Sequence, residues 1–400
     1  MAYKKIERDF SFADIAVQKF ADKNRSMLFL RQVNNTIDWQ PVQDLLFKYY
    51  ETGQAKKGER AYPPLLLFKC LLLQKWFQIK SDPELESQIN DRLSFKSFLQ
   101  LPLDVPSPDH STFSRFRKRV SKLAMIQINS GLLKQFHRLG LSINEGVAVD
   151  ARLVKSASRP VSKDKLDKLK ASQNPQGKLG KNRNPKKFSR DLDSDWTVKN
   201  EEPHYGLKEH TSVDTENGFI LSTNLSPASH HDSKYLPLAV IASMHTPDKI
   251  QTTYADKGYA GAPNRGFLAL NNIKDGIMRK DNINAKLTEL EIQRNKTISK
   301  FRYIVEQYFG ISHLHDNGDR ARFTQIMKNQ IDLMFRQFAF NLKKGAKILE
   351  VLPVQLDKCA QLPKSGHKAS VKGTLEFGFF RICLKEVLIR GKRHSLVPEF

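Results

Sequence analysis

The stretch Gly146-Val147-Ala148-Val149-Asp150-Ala151-Arg152 divides the chain. A short apolar run bounded by glycine reads as a buried strand, and this one runs into a carboxylate. Burying a carboxylate is costly unless a cation or a hydrogen-bond donor meets it. Asp150 on its own reads as a cap at a strand end. That reading changes only if carboxylates from other elements join it, and the later chain supplies two. Before Gly146 the sequence reads as nearly all helix; after it, strands and helices alternate. The expected class is α+β, an all-α N-terminal domain followed by a mixed α/β domain.

A length of 400 residues predicts two or three domains. The formal charge of +24 points to a polyanionic partner, nucleic acid ahead of a membrane surface, because no basic amphipathic stretch dominates. No apolar run reaches the ~18 residues of a membrane span, and the first ten residues lack the apolar core of a signal peptide. The three cysteines have no metal-ligand spacing. Cys70, inside Leu-Leu-Leu-Phe-Lys-Cys-Leu-Leu-Leu, reads as a small core residue. A reducing cytoplasm is the expected compartment.

Pro63 and Pro64 open a helix over 64–78 that is apolar nearly all round and therefore central and buried. Ser81-Asp82-Pro83-Glu84 is a capping box for the next helix. The helix after Pro108 groups Arg115, Lys118, Arg119 and Lys122 on one face, opposite Phe113, Phe116 and Val120. That face is either solvated surface or a phosphate contact. A helix over 124–139 closes the N-terminal domain.

Beyond Asp150, residues 152–190 hold thirteen Lys or Arg against two acids, too few apolar groups for a core. The segment is either a solubilising loop or an arm that orders on DNA backbone, with Arg152 and Lys155 at its start. Residues 204–214 read as a strand, Asn217-Gly218 as a hairpin turn, and 219–225 as the returning strand. Ser229-His230-His231-Asp232 precedes a helix over about 233–244. Asp232 reads as its N-cap, and the adjacent histidines have poor metal-ligand spacing.

Thr252 to Asp256 repeats the pattern of Asp150, a β-rich run ending on a carboxylate beside glycines, with Lys257 next. Ile273–Met278 is another short strand. Thr288-Glu289-Leu290-Glu291 caps a helix expected to run to Phe309 and close at Gly310. Ile298, Phe301, Val305 and Tyr308 form its buried ridge, which leaves Glu306 at the core's margin. Arg302 and Glu306 alone would be a surface pair one turn apart. Three carboxylates from two strand ends and a helix, on a basic chain, describe a two-metal phosphoryl-transfer site. Hard oxygen ligands suit Mg²⁺, and two ions can clamp both oxygens of an in-line displacement.

At this point the chain resembles the DDE transposases of bacterial insertion sequences, in the group related to insertion sequence five. The resemblance covers roughly residues 10–342. It rests on Ser11-Phe12-Ala13-Asp14, the Tyr62-Pro63-Pro64 helix with Leu73-Gln74-Lys75-Trp76, and Pro108-Asp109-His110-Ser111-Thr112-Phe113 with Arg115 and Phe116. It continues through Val149-Asp150-Ala151, Gly206-Leu207-Lys208, His230-His231-Asp232, Ala255-Asp256-Lys257-Gly258-Tyr259-Ala260-Gly261, and Arg302 with Glu306. Each motif alone is weak; in this order the set is specific.

The resemblance implies a helical N-terminal domain (1–140) for DNA binding or dimerisation and an RNase H-like catalytic domain (141–342) with a basic insertion (152–203). A basic C-terminal extension (343–400) follows. It implies Asp150, Asp256 and Glu306 as the catalytic, metal-binding triad with two Mg²⁺ (or Mn²⁺) ions, and Arg302 near phosphate. The family's tyrosine and lysine on this helix are replaced by Ser299 and His313, and His313 can still donate to a phosphate oxygen. The DNA-contacting set is therefore Arg302, Lys257, Arg152, Lys155, Arg115, Lys118, Arg119 and His313. The implied partners are double-stranded DNA, as terminal inverted repeats and target, and a second copy of the chain, with no membrane and no small-molecule cofactor. The rival readings are a catalytically silent DNA-binding protein and a structure-directed nuclease of the same fold.

Overall fold

Helices fill the first part of the described chain and a mixed sheet the second. The computed structural model describes residues 3, 4, 6, 23–54, 59–142, 146–171, 191–246, 249–281 and 286–360. Residues 1–343 form one compact unit; of the second unit, 344–400, the described part is the end of one helix.

The helical part contains α1 (Arg25–Thr36), α2 (Gln40–Tyr49), α3 (Pro64–Trp76), α4 (Asp82–Asp91), α5 (Leu93–Leu99), α6 (His110–Arg119) and α7 (Lys122–Arg138). α3 is its axis, with Leu66 through Gln74 all buried, Cys70 among them. A helix apolar on every side can only sit at the centre of a core. Ser81 caps α4 by accepting from the Glu84 N–H. Asp109 caps α6. The expected four-residue basic face is shorter than the sequence suggests: the backbone leaves the helix at Val120, so Lys122 opens α7 instead of continuing the face of Arg115, Lys118 and Arg119.

The sheet contains β1 (Gly146–Lys155), β2 (Asp195–Lys199), β3 (Glu202–Asp214), β4 (Ile220–Pro227), β5 (Thr252–Ala255) and β6 (Lys274–Ile277). β1 is central, antiparallel to β3 and parallel to β5, and β5 is parallel to β6. β4 and β2 both lie on the outer edge of β3, the former along residues 207–213 and the latter along 202–206. Between these strands lie α8 (Lys163–Ala171), α9 (Leu236–Ser243) and α10 (Ala262–Leu270); α11 (Glu289–Asp316) and α12 (Ile326–Ala360) follow. This arrangement is the mixed sheet with flanking helices that the resemblance implies.

Four expectations change. β1 does not end at Asp150 but continues to Lys155, because β3 keeps pairing with it as far as Gly206. The basic insertion therefore starts as strand, adds α8, and is anchored at its far end by the buried Asp191, which accepts from Ser156 and Ser194. β2 was not expected; Asn200 and Glu201, both at positive φ, make the tight turn that returns it to β3. Finally, Gly310 does not close α11, which runs on to a left-handed Asn317. The strand-like run 374–389, the basic residues beyond it, Ser11 to Asp14 and residues 172–190 lie outside the described residues.

α12 shields the outer edge of β4. Asn341 and Gln337 together bond the Ile220 N–H and the Ile220 and Leu221 carbonyls, and Gln330 bonds the Leu225 N–H and the Thr223 carbonyl. Side-chain amides thus take the place of a further strand, which removes an aggregation-prone edge. Among the described residues no helix is long and apolar enough to cross a membrane.

Gly310 is exposed in mid-helix, with open space where a Cβ would stand. Gly310→Ala is expected to stabilise the protein by up to about 1 kcal/mol, the helix-propensity difference. Urea unfolding measures it; a destabilised variant would mean that the position needs glycine for contact or motion.

Candidate active site

Strand register brings the first two carboxylates together. The last parallel pair between β1 and β5 is Val149 with Ala255, so Asp150 and Asp256 are the next residues on adjacent strands, whose usual spacing is about 4.8 Å. α11 crosses the same face of the sheet and carries Arg302 and, one turn later, Glu306.

Arg302 is at the centre. Its guanidinium lies 2.8 Å from Asp150 Oδ2, 3.7 Å from Asp256 Oδ1 and 3.6 Å from Glu306 Oε1. The residue is 8% exposed, so it is not half of a surface pair. On this helix Ile298, Arg302, Val305, Tyr308 and Ser312 are buried, whereas Phe301, expected in the core, is exposed and stacks on Tyr254 at 4.5 Å. Exposure grades across the triad: Asp150 has 20% of its side chain exposed, Asp256 39% and Glu306 56%. Burial raises the Asp150 carboxyl above its ordinary range; Arg302 and the Ala151 N–H oppose that shift without cancelling it.

α11 is held in place by a second buried pair one turn along. Glu209, on β3, accepts two N–H bonds from Arg152 and one O–H bond each from Tyr308 and Thr211. Arg152 also reaches the Phe309 carbonyl and the Ser312 hydroxyl. Arg152, expected to contact DNA, is thus turned to the interior, where its guanidinium makes four hydrogen bonds to Glu209, the Phe309 carbonyl and Ser312. Near its start, α11 is tied to β6 by Arg294, which donates to the Ile277 and Asp275 carbonyls.

The remaining expected DNA contacts are dispersed. Lys257 is exposed next to Asp256, and Arg115, Lys118 and Arg119 are exposed on α6. Arg115 hydrogen-bonds Ser111 and Thr112. Lys155 is exposed at the end of β1. His313 is exposed on α11, 3.8 Å from Asp319. Asp232 is not the expected cap; it pairs with Lys208 at 3.0 Å, and His231 caps the short turn that follows. His230 and His231 bond Tyr235 and Ser233 instead of converging on a common point. His210, beneath Tyr235, is pushed down to about 4 by burial and stays neutral.

Sequence reasoning assigned no role to Tyr259 or Lys208. Tyr259 is buried, its hydroxyl has no hydrogen-bond partner among the described residues, and burial together with Asp150 and Asp232 raises its pKa well above the ordinary value. The aromatic residue three positions past Asp256 was the available signal.

For a metal, one group among the described residues already has ligand atoms close together. Glu86, Asp109 and His110 offer ligand atoms within 4.8 Å of one another. Their atoms already serve a helix start: Asp109 caps α6, and Glu86 accepts from the His110 N–H and lies against its ring at 2.9 Å. The triad does not form such a group: its three carboxylates surround the Arg302 guanidinium, and their ligand atoms do not all lie within 4.8 Å of one another. A donor set of carboxylate oxygens alone, graded from buried to open, fits a hard divalent ion reached from solvent.

The chain is similar to known transposases. A family described as "Transposase DDE domain" matches residues 143–342, and one described as "Transposase domain (DUF772)" matches residues 16–119. The transposase for insertion sequence element IS1106 of Neisseria meningitidis serogroup B is 38% identical over 161 residues, 40% of this chain and 54% of that protein. The chain thus spans about half the length of this curated relative. A piggyBac transposase synaptic complex with hairpin DNA, solved by cryo-EM, aligns over 88% of each chain at 10% identity and a TM-score of 0.36, a likeness too slight to bear on the assignment. The family match over half of the chain shows that the protein belongs to the DDE transposase family.

Proposed function

We propose that the protein is a DNA transposase that cuts phosphodiester bonds at the ends of its own element and joins the freed 3′-hydroxyls to target DNA. The observation that carries this reading is the gathering of Asp150, Asp256 and Glu306 around the Arg302 guanidinium within a basic chain. Asp150, Asp256 and Glu306 would hold two Mg²⁺ (or Mn²⁺) ions, which supply Lewis-acid stabilisation of charge at phosphorus and a nucleophile at neutral pH.

The chain's own residues do the rest. Asp150 and Asp256 stand side by side because the strands fix them. Glu306, the most open of the three, completes the set from the solvent side. Arg302 keeps the carboxylates gathered and offers a fixed positive charge beside the reacting phosphate. Lys257, Arg115, Lys118, Arg119, Lys155 and His313 are free to meet DNA backbone, whereas Arg152 supports the site from beneath. Double-stranded DNA, as terminal inverted repeats and target, is the partner, bound by a homodimer in the cytoplasm. The helical part (1–140) would carry end recognition, residues 141–342 the chemistry, and residues 343–400 a basic extension.

The test is cleavage of a DNA fragment that carries the borders of the protein's own gene, in Mg²⁺. Cuts at the element boundary are expected, with Asp256→Asn abolishing cleavage and leaving DNA binding intact. Cleavage that survives this substitution would remove Asp256 from the site, and binding without cuts in the unaltered protein would favour the silent DNA-binding reading. Arg302→Met should lower the stability of the protein in EDTA by about 1–3 kcal/mol, because Asp150 loses its buried cation while partly retaining water. Unchanged urea unfolding would show that the carboxylates need no such partner.

A further inference from the structure

A second cationic feature lies away from the triad. Between α3 and the loop that joins α11 to α12 is a cleft of about 540 Å³. Six cations and three carboxylates line it. The floor is internally compensated: Lys75 meets Asp332 at 2.6 Å, and Arg322 meets Asp82 at 3.2 Å and the Gln74 side chain at 2.7 Å. Arg336 is compensated as well, by Asp332, Glu209 and Asp316, although its Nε is buried without a hydrogen-bond partner among the described residues. The rim is uncompensated. Lys80, Lys155 and Arg320 are exposed, and no carboxylate among the described residues lies within ion-pair distance of them. Arg320 makes one long contact, 3.5 Å to the Ala157 carbonyl. The rim's acid, Asp319, faces His313.

Unpaired like charges held together by a fold repel one another, and an anion removes that cost. The loop places them deliberately: the Lys155 N–H donates to the Asp319 carbonyl and the Ala321 N–H donates to the Lys155 carbonyl, which clips the loop to the end of β1.

We propose that this cleft is a docking site for DNA backbone phosphates, held by Lys80, Lys155 and Arg320 at the rim. The proposal rests on the reading of the protein as acting on DNA, and it adds where the duplex runs. Two elements lead from the triad to the cleft in the same direction. β1 covers the five residues from Asp150 to Lys155, roughly 16 Å at strand rise. α11 covers the ten from Glu306 to Asp316, roughly 15 Å at helix rise. At 3.4 Å per base pair, that separation is about four to five base pairs. A duplex whose scissile phosphate sits at the triad would therefore place backbone in the cleft about half a turn away. The contact positions the duplex and reads no bases.

The experiment compares three full-length proteins on one duplex oligonucleotide carrying the gene's border sequence, with affinity measured across a series of salt concentrations. They are the unaltered chain, the triple variant Lys80→Gln, Lys155→Gln, Arg320→Gln, and a control triple of equal charge loss, Lys48→Gln, Lys134→Gln, Lys199→Gln. All six side chains are exposed, so folding should survive, and unchanged melting temperatures check it. The cleft triple should bind about tenfold or more weakly, with the log–log salt slope reduced by about 2 to 3, since each phosphate contact contributes about 0.9. The control should keep both values. Equal binding by the cleft triple, or an equal loss in the control, overturns the cleft and leaves the DNA reading standing. Failure of the unaltered chain to bind DNA defeats that reading itself.

Discussion

The structure turns on one guanidinium. Three carboxylates from two strands and a helix cannot approach one another in a half-buried pocket without a countercharge. Arg302 supplies it from the helix that also carries Glu306, so charge compensation and site geometry come from the same turn of α11. A cation at that point does two things. It makes the arrangement tolerable in the protein as folded, and it marks where positive charge is wanted when a phosphodiester arrives.

The surroundings serve to hold that helix still. Glu209, Arg152 and Tyr308 form a buried, hydrogen-bonded polar cluster under α11, and Arg294 ties the start of the helix to β6. Such a cluster contributes through positioning more than through net stability. α12 then closes the open edge of β4 with glutamine and asparagine side chains, and Asn129 from α7 joins Asn341 at the same strand. The helical part, the sheet edge and the catalytic face are thereby linked by polar contacts whose partners are fixed in space.

Much of this was legible in the residues. The apolar run into Asp150, its echo before Asp256 and the capped helix bearing Glu306 were sufficient to single out the three carboxylates that the fold gathers around Arg302, because hydrophobic period and strand-end carboxylates are local signals. What was not legible depended on tertiary partners. Arg152 looked like the first residue of a basic arm, and only the opposing Glu209 turns it inward. Phe301 looked buried and Arg302 exposed; one step of rotation about α11, set by the carboxylates it meets, reverses them. β1 ran past Asp150 because its length is decided by β3, not by its own sequence. Gly310 looked like a terminator but lies in mid-helix, where packing of the flanking turns outweighs a propensity cost of about 1 kcal/mol. Lys80 and Arg320 are far apart in sequence and unremarkable singly, so their meeting beside Lys155 could be seen only in three dimensions.

The central claim is that the carboxylates gathered around Arg302 bind divalent metal. Titration of the protein with Mn²⁺, followed by electron paramagnetic resonance of the free ion, addresses it without relying on activity. The account predicts saturable uptake that is lost in Asp150→Asn and kept in Asp109→Asn, since Asp109 serves a helix cap. Uptake indifferent to Asp150, or abolished by the Asp109 substitution, would contradict it and move the metal to the Glu86, Asp109 and His110 group.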